Sequence, residues 1–111
     1  RGTLARHERG ESNRRPFLVQ SLRLGPMTFT ATPLEMMHRI KRRFQAERGA
    51  QALLLSVTNG FLGYAPLREL YHATPQPYSV AWVPYMLGWT PFTEKIEDEV
   101  LQAVLRVSDA V

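Results

Sequence analysis

The alternation of apolar and polar positions predicts a β-hairpin near the start of the chain. Residues 17–24 alternate in part, with Leu18, Leu22 and Leu24 as the apolar members. Gly25 and Pro26 follow as a turn signal, and residues 27–31 then alternate again. Because successive side chains of a strand point to opposite faces, this pattern is typical of two short strands joined by a turn.

A helical period replaces the alternation after residue 31. Thr32, Pro33 and Glu35 have the pattern of a helix start, with Thr32 as cap, Pro33 at the first helical position and Glu35 completing a capping box. The apolar stripe that follows consists of Met36, Met37, Ile40 and Phe44. We expect this helix to run to about Arg48 and to end at Gly49.

The second half of the chain is predicted to hold a buried strand and a C-terminal helix. Residues 52–57 form an apolar run interrupted by Ser56, which is typical of a strand buried on both faces. Residues 58–66 follow as a loop, 66–72 as a short helix, and 73–92 as an irregular segment with one strand near 80–83. Apolar residues recur at helical spacing over 93–107. The fold class is therefore α/β, with a hairpin, helix, buried strand, loop and C-terminal helix that contribute to a larger sheet.

Composition and charge exclude some kinds of site and disfavour some kinds of partner. The chain has a formal net charge of +4 and no cysteine, which excludes disulfides and thiolate zinc sites. Residues 1–15 are Arg-rich and aperiodic, and we expect a flexible basic arm there, with 16–111 as the folded part. A second basic cluster spans 39–48. Both clusters fit a solvated surface. Phe44 is the one aromatic residue within them, and it belongs to the apolar stripe of the helix, which argues against nucleic-acid binding. No apolar run is long enough to predict a transmembrane segment.

Two places carry candidate chemistry. Glu35 and His38 form a Glu-x-x-His pair, a spacing found in helical carboxylate metal sites, although Glu35 also fits a purely structural cap. The loop after the predicted buried strand carries Asn59 and Tyr64, and α/β proteins tend to place their sites at the carboxyl ends of strands. A glycine-bearing connection with packed aromatics is the alternative interpretation of that loop.

The order of these motifs resembles a known family. Residues 32–35, a basic amphipathic helix, a buried apolar strand, Asn-Gly-Phe-Leu-Gly-Tyr-Ala-Pro at 59–66 and Leu-Tyr-His at 70–72 are similar to the end of the catalytic domain of neutral/alkaline ceramidases. The resemblance covers about residues 22–72. It implies a zinc-dependent hydrolase of an N-acyl amide, with lipid amides in its range, in which a metal-activated water attacks the carbonyl.

The resemblance also implies roles for individual residues. Glu35 and Tyr64 match the family's carboxylate and tyrosine zinc ligands, and Tyr71 matches the tyrosine that hydrogen-bonds the substrate carbonyl. Asn59, His38 and His72 are candidates for supporting positions around them, and His72 stands where the family has an acid. The family's two histidine ligands have no counterpart here. We therefore expect an incomplete enzyme whose histidines come from an upstream stretch or from a separate subunit of a hetero-oligomer.

Two other functions are compatible with the same residues. The chain could be a non-catalytic basic α/β module that binds an acidic partner through its arginines. It could also be a metal-free ceramidase-like structural subunit. The compartment and the substrate are not predicted by the sequence.

Overall fold

The protein is described by a computed structural model that covers residues 2–12, 14–88 and 90–111. It has both helices and strands, as the α/β prediction requires. The elements, in chain order, are α1 (Gly2–Glu8), β1 (Gln20–Leu24), β2 (Met27–Ala31), β3 (Glu35–Met36), α2 (His38–Arg48), β4 (Ala52–Leu55), β5 (Tyr64–Ala65), a 3₁₀ turn (Arg68–His72), α3 (Tyr78–Ala81), α4 (Val83–Met86) and α5 (Ile96–Asp109).

The predicted hairpin is confirmed and forms part of a three-stranded sheet. Strands β1 and β2 pair antiparallel, with Leu22 opposite Phe29, and the turn uses Gly25 at a positive φ of 58°. A positive φ is accessible to glycine at little steric cost. Strand β4 pairs parallel with β2, which gives the strand order β1-β2-β4.

Helices α2 and α5 pack on one face of this sheet and form the core with it. The apolar stripes predicted for both helices are the buried ones: Ile40 and Phe44 of α2 and Val104 of α5 are fully buried. Burial of such side chains stabilises the fold by about 1.5–3 kcal/mol each. The C-terminal helix is thus confirmed, although it begins at Ile96 rather than near 93.

The predicted start of α2 is wrong. The helix begins at His38, after Met37 in an extended conformation and without a side-chain cap. Thr32 instead turns back onto Leu34, whose N–H donates to the Thr32 hydroxyl over 3.4 Å. Glu35 lies in strand β3, because its N–H donates to the Gly63 carbonyl over 2.8 Å. These longer-range backbone bonds use the donors that a capping box would have satisfied.

Strand β4 is covered on one face only, which corrects the expectation of burial on both. Ala52 and Leu54 are buried under the helices, whereas Leu55 is exposed on the other side. Leu22 and Leu24 of β1 are more than half exposed on that same side. Within the described residues, this apolar sheet face (Leu22, Leu24, Met27, Phe29, Leu53, Leu55) has no covering layer.

Two further segments differ from their predictions. Gly2–Glu8 of the expected arm is helical, and Arg6 Nη2 donates to the carbonyl oxygen of Gly88. Arg1 and Asn13 of that arm lie outside the described residues. The strand expected near 80–83 is replaced by helices α3 and α4, because the buried Val80 and Val83 recur at helical and not at alternating spacing. No helix in the described part of the chain is long and apolar enough to cross a bilayer.

Candidate functional site

The two-stranded parallel sheet β3–β5 brings two of the predicted residues together. Glu35 and Tyr64 are register partners in this sheet. Partners in adjacent strands project their side chains to the same side, so the carboxylate and the phenol share one face. Glu35 is exposed and Tyr64 is half-buried, which leaves their polar ends open to a ligand.

A third oxygen comes from Tyr78, which the sequence did not single out. Its hydroxyl lies 2.7 Å from the Tyr64 hydroxyl, and the two rings meet edge to face at 83° with centroids 5.5 Å apart. Tyr78 opens α3 directly after Pro77. In the sequence, Tyr78 is marked only by its place after Pro77 in a segment rich in aromatic residues and proline. That pattern does not predict which tyrosine contacts Tyr64.

The electrostatics of this cluster favour a protonated Tyr64 in the absence of a cation. The pKa of Tyr64 is raised, first by its hydrogen bond with Tyr78, then by partial burial, and then by the nearby Glu35 carboxylate. The last effect also shows that Glu35 is within electrostatic reach of the phenol. A bound cation would reverse the balance, since it attracts the carboxylate and the phenolate together.

The donor set suits a cation that accepts oxygen ligands, but it is incomplete. One carboxylate and two phenols are available on this face, and zinc accepts oxygen donors in catalytic sites that also use histidine. No group of three or more His, Cys, Asp or Glu that could hold a metal occurs within the ranges the structure describes. The carboxylate and the two phenols are fewer ligands than a zinc site uses.

The connection between β4 and β5 contains strained backbone. Val57 has a φ of 52° and Asn59 a φ of 60°, and a positive φ is a genuine outlier for a β-branched residue such as valine. The Val57 N–H donates to the Leu34 carbonyl over 3.1 Å, next to Glu35 in the chain. Such strain costs about 1–3 kcal/mol and concentrates at ligand sites.

Within the part of the chain that the structure describes, none of the remaining predicted residues hydrogen-bonds the side chains of Glu35 or Tyr64. Tyr71 is half-buried, burial raises its pKa to about 12, and it lines a separate cleft with Tyr85. Its role as the tyrosine that hydrogen-bonds the substrate carbonyl stays a prediction.

The three supporting candidates have other partners or positions. Asn59 Nδ2 donates to the Gln20 side chain, and His72 contacts the Glu94 carboxylate. His38 is the exposed first residue of α2. Because Glu35 lies in a strand, Glu35 and His38 do not form a helical pair.

A cluster of ion pairs and hydrogen bonds around Glu97 connects three elements of the fold. The buried Glu97 of α5 accepts hydrogen bonds from Arg43 Nη1 over 3.0 Å and from the Arg68 N–H over 2.9 Å. Burial by itself would raise the pKa of Glu97, but these bonds, together with the neighbouring Arg39, lower it below its usual value. Glu97 therefore joins α2, α5 and the 3₁₀ turn that follows β5.

An apolar cavity lies beside the β3–β5 sheet. It has a volume of about 360 Å³ and is lined mainly by Leu34, Leu62, Phe92, Ile96 and Val100. Cavities of this size fall within the range of small-molecule sites. Leu34 is fully buried in the cavity wall, whereas the next residue, Glu35, is exposed.

Comparisons with known proteins give no independent identification. No protein-family model matches the chain, no curated protein matches it, and no solved structure matches it. The likeness to ceramidases is therefore a hypothesis that depends on the short motifs between residues 32 and 72.

Proposed function

We propose that this chain supplies Glu35 and Tyr64 to the zinc site of an amide hydrolase that is completed by residues outside it. The observation that carries the proposal is the register of β3 and β5, which places these two side chains on one face. The two residues are far apart in sequence, and the resemblance to ceramidases implies that both are ligands.

The residues of this chain would have distinct roles. Glu35 and Tyr64 would hold the ion. When bound, zinc supplies a polarised carbonyl and a water whose pKa is lowered to about 7. Tyr78 has its hydroxyl at the open side of the cluster, where it can donate a hydrogen bond to a carbonyl oxygen that gains negative charge. We prefer Tyr78 to Tyr71 for this role because its hydroxyl lies beside the Tyr64 oxygen.

The missing ligands would come from a partner that packs on the apolar sheet face. Leu22, Leu24 and Leu55 remain exposed on this face, and an exposed patch of neighbouring apolar residues marks an interaction site. An upstream stretch of the same precursor or a separate subunit could cover this face and supply the histidines. An N-acyl amide is the expected substrate class.

Zinc analysis of the native particle tests the proposal. Glu35→Gln and Tyr64→Phe should each weaken zinc binding by at least about tenfold, the smallest effect typical even of residues that only support metal ligands. Glu47→Gln and Tyr85→Phe alter exposed residues of the same types elsewhere and should leave zinc unchanged. Full zinc occupancy in both site variants would reject the metal role.

The two alternatives make different predictions. The binding module is less well supported, because Arg39, Arg43 and Arg68 are already paired with Glu69, Glu97 and Asp98. Such a module should bind an anionic partner with a strong salt dependence. A metal-free structural subunit should give a folded native particle without zinc.

A further inference from the structure

Helices α3 and α4 expose a continuous row of aromatic side chains. Tyr78, Trp82, Tyr85 and Met86 follow one another at helical spacing, and they are 58%, 67%, 59% and 79% exposed. Residues three, four, seven and eight apart share one side of a helix. We call these four residues the aromatic face. Single exposed apolar residues are common, but a contiguous patch marks an interaction site.

The opposite side of the two helices is packed, which fixes the orientation of the aromatic face. Val80 and Val83 are buried. A Cβ placed on Gly63 would lie 3.3 Å from Leu87 Cδ1 and 3.5 Å from Val83 Cγ1, so the helix pair rests directly on the backbone of the loop that carries Tyr64. The outward orientation of Trp82 is therefore a consequence of core packing.

Charge distinguishes this region from the rest of the chain. Residues 73–93 contain no Asp, Glu, Lys, Arg or His, although 22% of the chain is charged. A basic segment lies against one end of the region, since Arg6 donates to the Gly88 carbonyl. Residues 1–15 carry five arginines and two glutamates, a net charge of +3 with His7 neutral. A segment whose sequence carries a net positive charge thus contacts the uncharged region at Gly88.

We propose that the aromatic face binds the interface of a lipid bilayer, with the basic segment beside it attracted to anionic headgroups. Tryptophan and tyrosine suit this position because their rings are apolar and their N–H or O–H groups remain in contact with water. Arginines near an anionic leaflet add about 1 kcal/mol each. A protein partner would also cover aromatic residues, but the adjoining net positive charge favours an anionic lipid surface.

Tyr78 belongs to both the aromatic face and the oxygen cluster. Binding would therefore turn the candidate site towards the bilayer. The proposal does not depend on zinc, so it can fail or succeed independently of the proposed function.

Vesicle binding by the full chain tests the proposal. The probes are phosphatidylcholine vesicles and vesicles that also contain phosphatidylserine. In a Trp89→Phe background Trp82 is the one remaining tryptophan, and its emission should shift to shorter wavelength on binding. The double variant with Trp82→Ala and Met86→Ala should have a partition coefficient between vesicles and buffer, measured by sedimentation, that is at least about tenfold lower. Binding to the anionic vesicles should weaken as salt is raised.

A matched control separates lipid binding from general stickiness. Leu22→Ala with Leu24→Ala removes apolar side chains of similar exposure on the apolar sheet face and should leave vesicle binding unchanged. Equal loss of binding in both double variants would overturn the proposal, as would no binding by the unmodified chain. Shielding of Trp82 from acrylamide by another protein in the vesicle-free native particle would also overturn it, and would identify a protein interface.

Discussion

The hydroxyl oxygens of Tyr64 and Tyr78 lie 2.7 Å apart. Tyr64 belongs to β5 and Tyr78 to α3, so this bond joins the short sheet that carries Glu35 to the helices that carry the aromatic face. A hydrogen bond between two neutral hydroxyls contributes about 0.5–1.5 kcal/mol to stability. Its chemical effect is more specific, because it is the largest cause of the raised Tyr64 pKa.

Tyr78→Phe should therefore lower the Tyr64 pKa towards the ordinary value of tyrosine. Removing the hydroxyl removes the hydrogen bond, while partial burial and the Glu35 carboxylate still hold the pKa somewhat high. The tyrosinate absorbance at high pH follows the change. Tyr85→Phe changes an exposed tyrosine that lies in another cleft, and the Tyr64 titration should not respond to it. An unchanged Tyr64 pKa in the Tyr78 variant would contradict the coupling.

Glu97→Gln should destabilise the fold by about 1.5–3 kcal/mol, the range for hydrogen bonds to a charged group. The variant keeps the shape of the buried side chain but removes the charge that Arg43 and the Arg68 N–H recognise. Urea unfolding at neutral pH measures the loss. Glu47→Gln removes a carboxylate from the exposed surface of α2 and should change stability by less than about 0.5 kcal/mol. Similar losses of stability in the two variants would show that the Glu97 carboxylate does not stabilise the fold.

The same carboxylate predicts a direction of pH dependence. Its pKa is lowered on folding, so the folded state holds the proton less tightly than the unfolded chain, where the value is about 4.3. The stabilisation is complete above about pH 5 and is lost as the pH falls through the folded value. Unfolding free energies measured from pH 7 to pH 3 should therefore fall less steeply in Glu97→Gln than in the unmodified chain. Parallel curves would show that other groups dominate the acid response.

Gly63→Ala should loosen the contact between the Tyr64 loop and α4. Gly63 has a φ of 97°, and a Cβ there would lie 3.3 Å from Leu87 Cδ1, which is tighter than ordinary contact, and 3.5 Å from Val83 Cγ1, which is not. The backbone strain costs about 1–2 kcal/mol, and the crowding should add to it. Gly49 has a similar φ of 88°, but a Cβ there meets nothing within 4 Å, so Gly49→Ala isolates the backbone part. Thermal unfolding should show the larger loss for Gly63→Ala, and equal losses would argue against close packing of α4 on the loop.

Local sequence patterns predicted the elements whose partners are close in the chain or whose apolar stripe is long. The hairpin at Gly25 follows from a turn residue between two alternating stretches. The buried stripes of α2 and α5 follow from helical spacing, since a helix with one apolar side must pack that side inwards. The pairing of Glu35 with Tyr64 was expected only through the resemblance to ceramidases.

Tertiary structure decided the features that depend on competition between local and distant partners. Thr32, Pro33 and Glu35 satisfy every local rule for a helix start, yet backbone bonds to the loop around Gly63 hold that segment extended. Tyr78 reached Tyr64 because α3 and α4 fold back over Gly63, and no periodicity within the chain encodes that return. Spacing along the chain determines which side of an element is apolar, whereas the donors and acceptors of distant segments determine where that element begins and which polar groups meet.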